Sequence, residues 1–413
     1  MQQERDSTGE QQAWSGRAIS ARALTVTAII LVAADVIAVS LRRLHESGDF
    51  DISMEFGRRF LQGRYLYQGG LHFPYMPSAA MWFSVFARFP SPIAFGLSYG
   101  LAIAFLWMIM RILGRITVAA KLLQDDRVNL VIVITLALAS HFIIRDLDDG
   151  GPNIILLGMI VAGVYLASRG QVAGGAICLG LATAIKATAG IFIPFLAWKR
   201  QPRLAIYTMV AAAFWILLPI IRMGPGSWWA HQREWFDSAI GFALGHNATV
   251  ESFAGYHNVL NQALRPALIR LMAGRIGVTP ARAVASGIGL MVVGIFCWLT
   301  RHPYGNTMTS RWLVESSGLM ILAVMMAPIA WVQHMVLVVP AIFLITAYWC
   351  SGRKFGIFAS AAMAAYVVLA LGLNRELLGK ARYAMAQSYG VQTIAMLLVL
   401  GVLMSKRDTN AET

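Results

Sequence analysis

Two kinds of side chain suited to catalysis on phosphates lie close together just after the first long apolar block. Asp49 and Asp51 come first, and three arginines follow at Arg58, Arg59 and Arg64. Carboxylates can act as general bases, and guanidinium groups bind phosphate through two parallel hydrogen bonds. At a membrane surface, this combination favours chemistry on a phosphorylated lipid. A solvated charged loop explains the same residues without any function.

One lysine interrupts an apolar stretch, at Leu181-Ala-Thr-Ala-Ile-Lys186-Ala-Thr-Ala-Gly190. Ionisable residues at hydrophobic blocks are candidates for function because burying them is costly. Two interpretations of Lys186 stay open. It is either a lysine at a helix end whose ammonium group reaches the interface, or a phosphate-binding lysine at the outer face.

Three more groups of polar residues lie near apolar blocks. The turn from Arg145 to Asn153 is acidic and could bind a cation or sugar hydroxyls, or only solvate the turn. Segment 228–262 is rich in tryptophan and also contains His257, Asn261 and Gln262. Interfacial tryptophans are usually anchors, although they also stack against sugar rings. His334 stands beside a tryptophan at the start of a later block, a position where histidine is more often structural than catalytic.

Motifs for soluble nucleotide and zinc chemistry are missing from the sequence. It has no P-loop, no dinucleotide-binding glycine fingerprint and no HExxH. The three cysteines lie singly in apolar stretches, which is typical of small buried side chains. We therefore expect no metal site and no cofactor.

The composition is that of a membrane protein. Of the 413 residues, 58% are hydrophobic and only 13% are charged. A soluble domain has about 45–50% apolar and about 25% charged residues. The net charge of +14 is spread over many short loops, which indicates contact with membrane lipids and argues against nucleic acid.

Apolar blocks between charges predict twelve membrane-spanning helices. They are 20–41, 93–113, 129–145, 153–168, 171–186, 188–198, 203–222, 282–300, 312–330, 335–349, 355–373 and 389–404. The count is twelve only if the chain breaks near Lys186. Residues 76–90 predict a further helix lying in the interface.

Basic residues in the short loops predict the orientation. With the N-terminus inside, the short inner loops include Arg127, Arg169, Lys199, Arg200 and Arg311. We expect a bacterial inner-membrane protein with a disordered cytoplasmic N-terminus (1–19), a single transmembrane domain (20–404) and a cytoplasmic tail (405–413). The outer side receives two long loops, 42–92 and 223–281.

Four motifs in order resemble glycosyltransferase family 87, whose members are membrane enzymes of the GT-C architecture. They are Asp49-Phe50 with Gly63 and Tyr67; Phe73-Pro-Tyr-Met-Pro77; Gly150-Gly-Pro-Asn153 with Gly180-Leu-Ala-Thr-Ala-Ile-Lys186; and Asn261-Gln262 with Ala327-Pro-Ile-Ala-Trp331-Val-Gln-His334. This chain departs from the family pattern at Gly151, where the family has glutamine, and at Gln333, where it has histidine. Ala327 and Ala330 replace two serines.

The resemblance implies an all-α, GT-C-like bundle of about twelve helices and a hexosyltransferase activity. The donor would be a polyprenyl-phosphate sugar such as mannose, and the acceptor a lipid or glycan on the extracytoplasmic face. Asp49 would be the catalytic base. The donor phosphate would be bound by Lys186, Arg58, Arg59 and His334. Substrate contacts would come from Asp51, Tyr75, Asn153, His257, Asn261 and Gln262.

Two other classes of function remain open. A polytopic transporter or lipid flippase would show inverted repeats and charges near the bilayer midplane, and the sequence shows no repeat. A membrane scaffold would not need the ordered set Asp49, Lys186 and His334. An enzyme requires these three residues to converge on one outward-facing site.

Overall fold

The computed structural model describes residues 49–67, 75–243, 254–304, 310–353 and 355–406. Within these ranges the chain is helical, with 82% of residues in helices and no strand. The predicted span 20–41, the polar N-terminus, the first two residues of the motif that starts at Phe73 and most of the C-terminal tail lie outside the described residues.

Seventeen α-helices are found in the described ranges. They are α1 (Asp49–Gln62), α2 (Pro77–Phe86), α3 (Ser91–Ala119), α4 (Val128–Asp149), α5 (Asn153–Ser168), α6 (Val172–Ile185), α7 (Phe192–Trp198), α8 (Pro202–Leu217), α9 (Ile220–Met223), α10 (Pro225–Ala243), α11 (Leu264–Ile276), α12 (Val278–Leu299), α13 (Ser310–Met326), α14 (Val339–Cys350), α15 (Ile357–Tyr366), α16 (Arg375–Ser388) and α17 (Val391–Ser405). Short 3-10 helices precede α4, α7 and α14, and a π-helical turn, Val367–Gly372, follows α15.

Eleven of the twelve predicted spans coincide with helical segments, which supports a polytopic membrane protein. Five described helices are long and apolar enough to cross a membrane, or six if the bent pair Ile357–Gly372 and Arg375–Ser388 counts as one span. The predicted count of twelve is therefore not confirmed. Several apolar helices are short: α5 has 16 residues, about 24 Å, against a hydrocarbon core of about 30 Å.

The predicted break at Lys186 is confirmed. Helix α6 ends at Ile185, and Lys186 has extended backbone angles (φ −142°, ψ 113°) before the 3-10 turn Ala187–Ile191 begins. Residue 186 is thus a junction between two short helices.

Small residues let the helices approach closely, as expected of a bundle in a membrane. A Cβ atom added at Gly175 of α6 would lie 2.7 Å from the carbonyl oxygen of Gly163 in α5. One added at Gly57 of α1 would lie 2.7 Å from the carbonyl carbon of Phe83 in α2. These contacts fix the positions of α1, α2, α5 and α6.

Basic residues gather at one end of the bundle. Lys199, after α7, forms a fully buried ion pair with Glu315 in the second turn of α13, with 2.7 Å between Nζ and Oε2. Gly318, one turn further along α13, packs against the end of α17. A Cβ atom added at Gly318 would lie 3.3 Å from the sulfur of Met404. The Nζ of Lys406 donates to the Phe355 carbonyl at 3.0 Å. We call this the basic end.

Besides α1 and α2, which lie in the predicted outer loop 42–92, three helices occupy segments that carry no predicted span. Helices α10 and α11 lie in 223–281, which the sequence predicted only as a long outer loop, and α16 lies between the last two predicted spans. All three contain charged residues at short intervals, so they do not form long apolar blocks. Helix α2 confirms that 76–90 contains a helix, while its place in the membrane interface stays a prediction.

Candidate functional site

Asp49 is the first residue of α1, with an exposed side chain. A carboxylate is favoured at a helix N-terminus because the unpaired N–H groups carry partial positive charge. The neighbouring Phe50 packs edge-on against Phe95 of α3, with 5.1 Å between ring centroids. A Cβ atom at Gly150, in the turn after α4, would lie 3.0 Å from Phe50. Asp49 is therefore fixed beside the turn between α4 and α5.

A glutamine from the distant 3-10 helix Val332–Val338 reaches the same carboxylate. Gln333 Nε2 donates to Asp49 Oδ2 at 3.5 Å, at the long limit of a hydrogen bond. The amide is mostly buried and the carboxylate is exposed. This contact joins residues 284 positions apart in the chain.

The ammonium group of Lys186 is held by two residues of the predicted site. Its Nζ donates to Asn153 Oδ1 at 2.8 Å, and Asn153 is the first residue of α5. The same Nζ lies 5.7 Å from the ring centroid of Tyr75, within the range of a cation–π interaction. Burial raises the pKa of the Tyr75 hydroxyl, and the nearby carboxylates of Asp146 and Asp49 raise it further.

Asp146 is a member of this site that the sequence did not single out. It is 1% exposed, and both of its oxygens accept hydrogen bonds. Asn153 Nδ2 donates to Oδ1 at 2.6 Å, and the Ile154 backbone N–H donates to Oδ2 at 2.9 Å. A helical pattern could have identified it, because Asp146 continues the buried face of Ala139 and Phe142.

His334 lies close to this group. Its Nδ1 accepts a hydrogen bond from the Trp331 backbone N–H at 3.3 Å, and its imidazole lies within electrostatic range of the Lys186 ammonium group. Of the eleven predicted site residues, the structure thus brings together five: Asp49, Tyr75, Asn153, Lys186 and His334.

Three predicted residues on α1 have other partners. Arg58 and Arg59 lie nine and ten residues after Asp49, about 14 Å along the helix axis. Arg59 donates to Glu55 at 3.1 Å and to the Leu66 carbonyl at 3.2 Å. Asp51 accepts a hydrogen bond from the Ser91 hydroxyl at 3.0 Å, which ties α1 to the start of α3. The proposed phosphate and substrate roles of these three residues stay predictions.

The amides of Asn261 and Gln262 are fully buried and bind mainly backbone groups. Asn261 Nδ2 donates to the Ala254 carbonyl at 2.6 Å, and its Oδ1 accepts from the Ala330 N–H at 3.0 Å. Gln262 Nε2 donates to the Gln387 carbonyl at 2.8 Å. These contacts hold the loop that leads to Gln333.

His257 lies on the same segment as these two amides. Its ring stacks on Tyr256, with 3.8 Å between centroids. Substrate binding by His257, Asn261 and Gln262 remains a prediction.

Helix α10 contacts the loop after α1 through a second residue that the sequence did not single out. His231 is 3% exposed, and its Nε2 accepts from the Leu66 N–H at 3.0 Å while its Nδ1 donates to the Ser227 carbonyl at 2.7 Å. Desolvation lowers the pKa of this imidazole. The Tyr65 ring lies 4.2 Å from it. An open cavity of about 590 Å³ lies along α10. It is lined by Trp229, Ala230, Arg233, Glu234, Asp237 and Ser238.

The described residues contain no group of three His, Cys, Asp or Glu side chains that could hold a metal ion. The predicted absence of a metal stays a prediction.

The chain is 25% identical over 325 residues to a polyprenol-phosphate-mannose-dependent alpha-(1-2)-phosphatidylinositol mannoside mannosyltransferase of Mycobacterium tuberculosis. The match covers 72% of this chain and 69% of that relative. No solved structure matches the chain. The sequence profile of glycosyltransferase family 87 matches residues 73–328, which is more than half of the chain. Together with the apolar helices, this match identifies the chain as a membrane glycosyltransferase that belongs to glycosyltransferase family 87.

Proposed function

We propose that this enzyme transfers a hexose such as mannose from a polyprenyl-phosphate sugar to a lipid or glycan acceptor. One observation carries the proposal: the exposed Asp49 carboxylate and the Lys186 ammonium group both lie near Tyr75. The Lys186 Nζ is 5.7 Å from the Tyr75 ring centroid, and the Asp49 carboxylate is near enough to raise the pKa of the Tyr75 hydroxyl. Transfer of a sugar from a lipid phosphate needs both a base and a cation. The printed name of the mycobacterial relative supports the same class of donor.

The chemistry follows from these two groups. Asp49 takes the proton of an acceptor hydroxyl as that oxygen forms a bond to the anomeric carbon of the sugar. The bond between the anomeric carbon and the phosphate oxygen breaks, and its electron pair leaves with the polyprenyl phosphate. Negative charge grows on that phosphate, and the Lys186 ammonium group stabilises it. Gln333 keeps one carboxylate oxygen of Asp49 engaged, which limits the rotation of the base.

The distribution of charge supports a site on the extracytoplasmic face. Lys199 and Glu315 meet at the start of α13, at the basic end. After α13 ends at Met326, the chain leads to Gln333 and the site. Asp49 and the basic end therefore lie at opposite ends of α13. Short basic loops favour the cytoplasmic side, so the site would face outward.

The direct test is a transfer assay with a synthetic polyprenyl-phosphate mannose carrying a radiolabelled sugar. Membranes containing the enzyme should form a labelled product that membranes without it do not form. A flippase would move the donor between leaflets without forming any new glycosidic bond. The proposed donor class is wrong if neither membrane preparation consumes the donor. It is also wrong if a labelled nucleotide sugar gives the same labelled product in washed membranes that lack polyprenyl phosphate.

A further inference from the structure

We infer that Asp146 is a positioning residue that acts through Asn153 to hold the Lys186 ammonium group where the donor phosphate binds. The inference rests on the proposed function, because it assigns Lys186 to that phosphate. Asp146 itself is buried and lies behind Asn153, so it acts on the reaction only through this amide.

The first argument is the direction of the Asn153 amide. Its Nδ2 donates to Asp146 Oδ1 at 2.6 Å, and its Oδ1 accepts from Lys186 Nζ at 2.8 Å. A carboxylate only accepts hydrogen bonds and an ammonium group only donates them. A rotated amide would face the carboxylate with its oxygen and the ammonium with its NH₂ group. Asp146 and Lys186 together therefore allow one orientation.

The second argument is how firmly Asp146 itself is held. Its other oxygen accepts a hydrogen bond from the Ile154 N–H at 2.9 Å. This N–H lies in the first turn of α5, where backbone donors have no partner within the helix. The partial positive charge at this helix N-terminus also stabilises the carboxylate. Asp146 thus joins the end of α4 to the start of α5, and Asn153 cannot shift relative to it without breaking one of these bonds.

The third argument is the space at Gly151. A Cβ atom at this position would lie 2.8 Å from Asp146 Oδ1 and 3.1 Å from Asn153 Nδ2. Both distances are shorter than ordinary contacts of a carbon atom. In this chain the missing side chain of Gly151 makes room for the carboxylate. The glycine and the buried Asp146 therefore belong to one local arrangement.

The fourth argument concerns charge. A carboxylate bonded directly to Lys186 would compete with the donor phosphate for the ammonium group. The neutral amide between them fixes the position of the ammonium group and leaves its remaining N–H donors for a phosphate. The relay Asp146–Asn153–Lys186 therefore both anchors the lysine and keeps its charge available.

The test measures binding of farnesyl phosphate, a short polyprenyl phosphate, to the purified full chain in detergent, with farnesol as the control without phosphate. Asp146→Asn should weaken farnesyl phosphate binding about 10-fold, while farnesol binding stays unchanged. Asp148→Asn removes the same charge from the same turn and should bind like the wild type. Unchanged farnesyl phosphate binding in a folded Asp146→Asn protein would overturn the inference.

A swap variant separates positioning from a structural role. Asp146→Asn combined with Asn153→Asp keeps every hydrogen bond and the net charge, so the melting temperature should return to that of the wild type. Lys186 then has a direct carboxylate partner, and farnesyl phosphate binding should stay at least 10-fold weaker. Full recovery of binding together with stability would show that Asp146 is only structural.

The outcome also distinguishes this inference from the proposed function. If the wild type transfers the labelled sugar and Asp146→Asn binds farnesyl phosphate normally, only the positioning role fails. If the wild type forms no labelled product in the transfer assay, the proposed function fails whatever the binding data show.

Discussion

At the residue scale, the contact between Gln333 and Asp49 joins the proposed base to a residue 284 positions further along the chain. The 3.5 Å separation indicates a weak bond, so the amide orients the carboxylate more than it stabilises it.

Gln333→Ala should lower kcat about 10-fold, because a base that rotates freely is less often aligned with the acceptor hydroxyl. That factor corresponds to about 1.4 kcal/mol, which is within the net contribution of an ordinary protein hydrogen bond, about 0.5–1.5 kcal/mol. Gln333→His keeps a hydrogen-bond donor at this position, so it should retain most of the activity. Initial rates at saturating labelled donor measure both. Equal rates for Gln333→Ala and the wild type would rule out the orienting role.

The sequence predicted some residues of the site better than others. Asp49, Lys186 and His334 belong to ordered motifs and do lie near one another. Arg58 and Arg59 have the charge that a phosphate needs, but helix α1 places them about 14 Å beyond Asp49 along its axis. Asp146 looked like one of several solvated acids in a turn. Its role depends on the contact with Asn153, which only the folded turn creates.

At the scale of elements, Lys186 depends on the helix that precedes it. Helix α6 packs against α8, where a Cβ atom at Gly180 would lie 2.6 Å from Ala211 Cβ and 2.7 Å from the Ala212 backbone nitrogen. Because these neighbours include backbone, they cannot move aside cheaply. Gly180 also precedes Lys186 in the same motif.

Gly180→Ala should therefore push α6 away from α8, cost about 1–3 kcal/mol of stability and lower transfer activity by displacing Lys186. Gly100→Ala, in α3, is the matched control, since a Cβ atom there meets nothing within 4 Å. It should be neutral or slightly stabilising because alanine favours helices. Melting temperature and transfer rate measure both effects. Equal behaviour of the two variants would contradict the close packing of α6 and α8.

The contact between α10 and the loop after α1 should depend on pH. The folded pKa of His231 is lowered from 6.5, so the unfolded chain binds a proton first as the pH falls. Stability is then lost as the pH drops below about 6.5, because protonated Nε2 cannot accept from the Leu66 N–H. His231→Gln keeps an acceptor without titrating.

Between pH 7.5 and pH 5.5, the melting temperature of the wild type should therefore fall further than that of His231→Gln. Parallel curves for the two proteins would mean that His231 does not titrate in this range.

Apolar blocks predicted most of the helices, but they did not predict α10, α11 and α16. These helices are too polar to show as spans, and their stability depends on contacts with other elements. Arg270 of α11 is an example, since its guanidinium group donates to the Gln387 and Ser388 carbonyls of α16 at 3.2 and 3.0 Å. Such long-range contacts leave no local pattern in the sequence.

At the scale of the whole molecule, the buried ion pair at the basic end stabilises the bundle far from the site. Lys199 and Glu315 are both fully buried, and Arg311 adds a second contact to Glu315 at 2.8 Å. Removing one partner from such a pair leaves an uncompensated charge in a medium of low dielectric constant.

Glu315→Ala should cost about 3–5 kcal/mol of stability, measured by unfolding in mixed micelles. Asp237→Ala removes a partner from an exposed pair, Arg233–Asp237, and should change stability by less than about 1 kcal/mol. At a temperature where Glu315→Ala remains folded, its affinity for labelled donor should match that of the wild type. A selective loss of donor affinity would contradict the separation of this pair from the site.

The predicted number of membrane crossings is not confirmed by the helices of the described residues. Helices α5, α6, α7 and α17 are apolar but shorter than a straight span requires, so length alone does not assign them. The break at Lys186 was predicted correctly because a charge interrupts an apolar run. It ends one short helix and at the same time puts the ammonium group beside Asn153.

The central claim is that Asp49 is the base of a transferase that uses a lipid-linked donor. Asp49→Asn keeps the size and polarity of the side chain but removes its ability to take a proton. In membranes supplied with radiolabelled polyprenyl-phosphate mannose, it should abolish labelled product at normal expression. Asp148→Asn, which removes a carboxylate that is not among the predicted site residues, is the control and should retain wild-type transfer. Wild-type rates in Asp49→Asn would contradict the account.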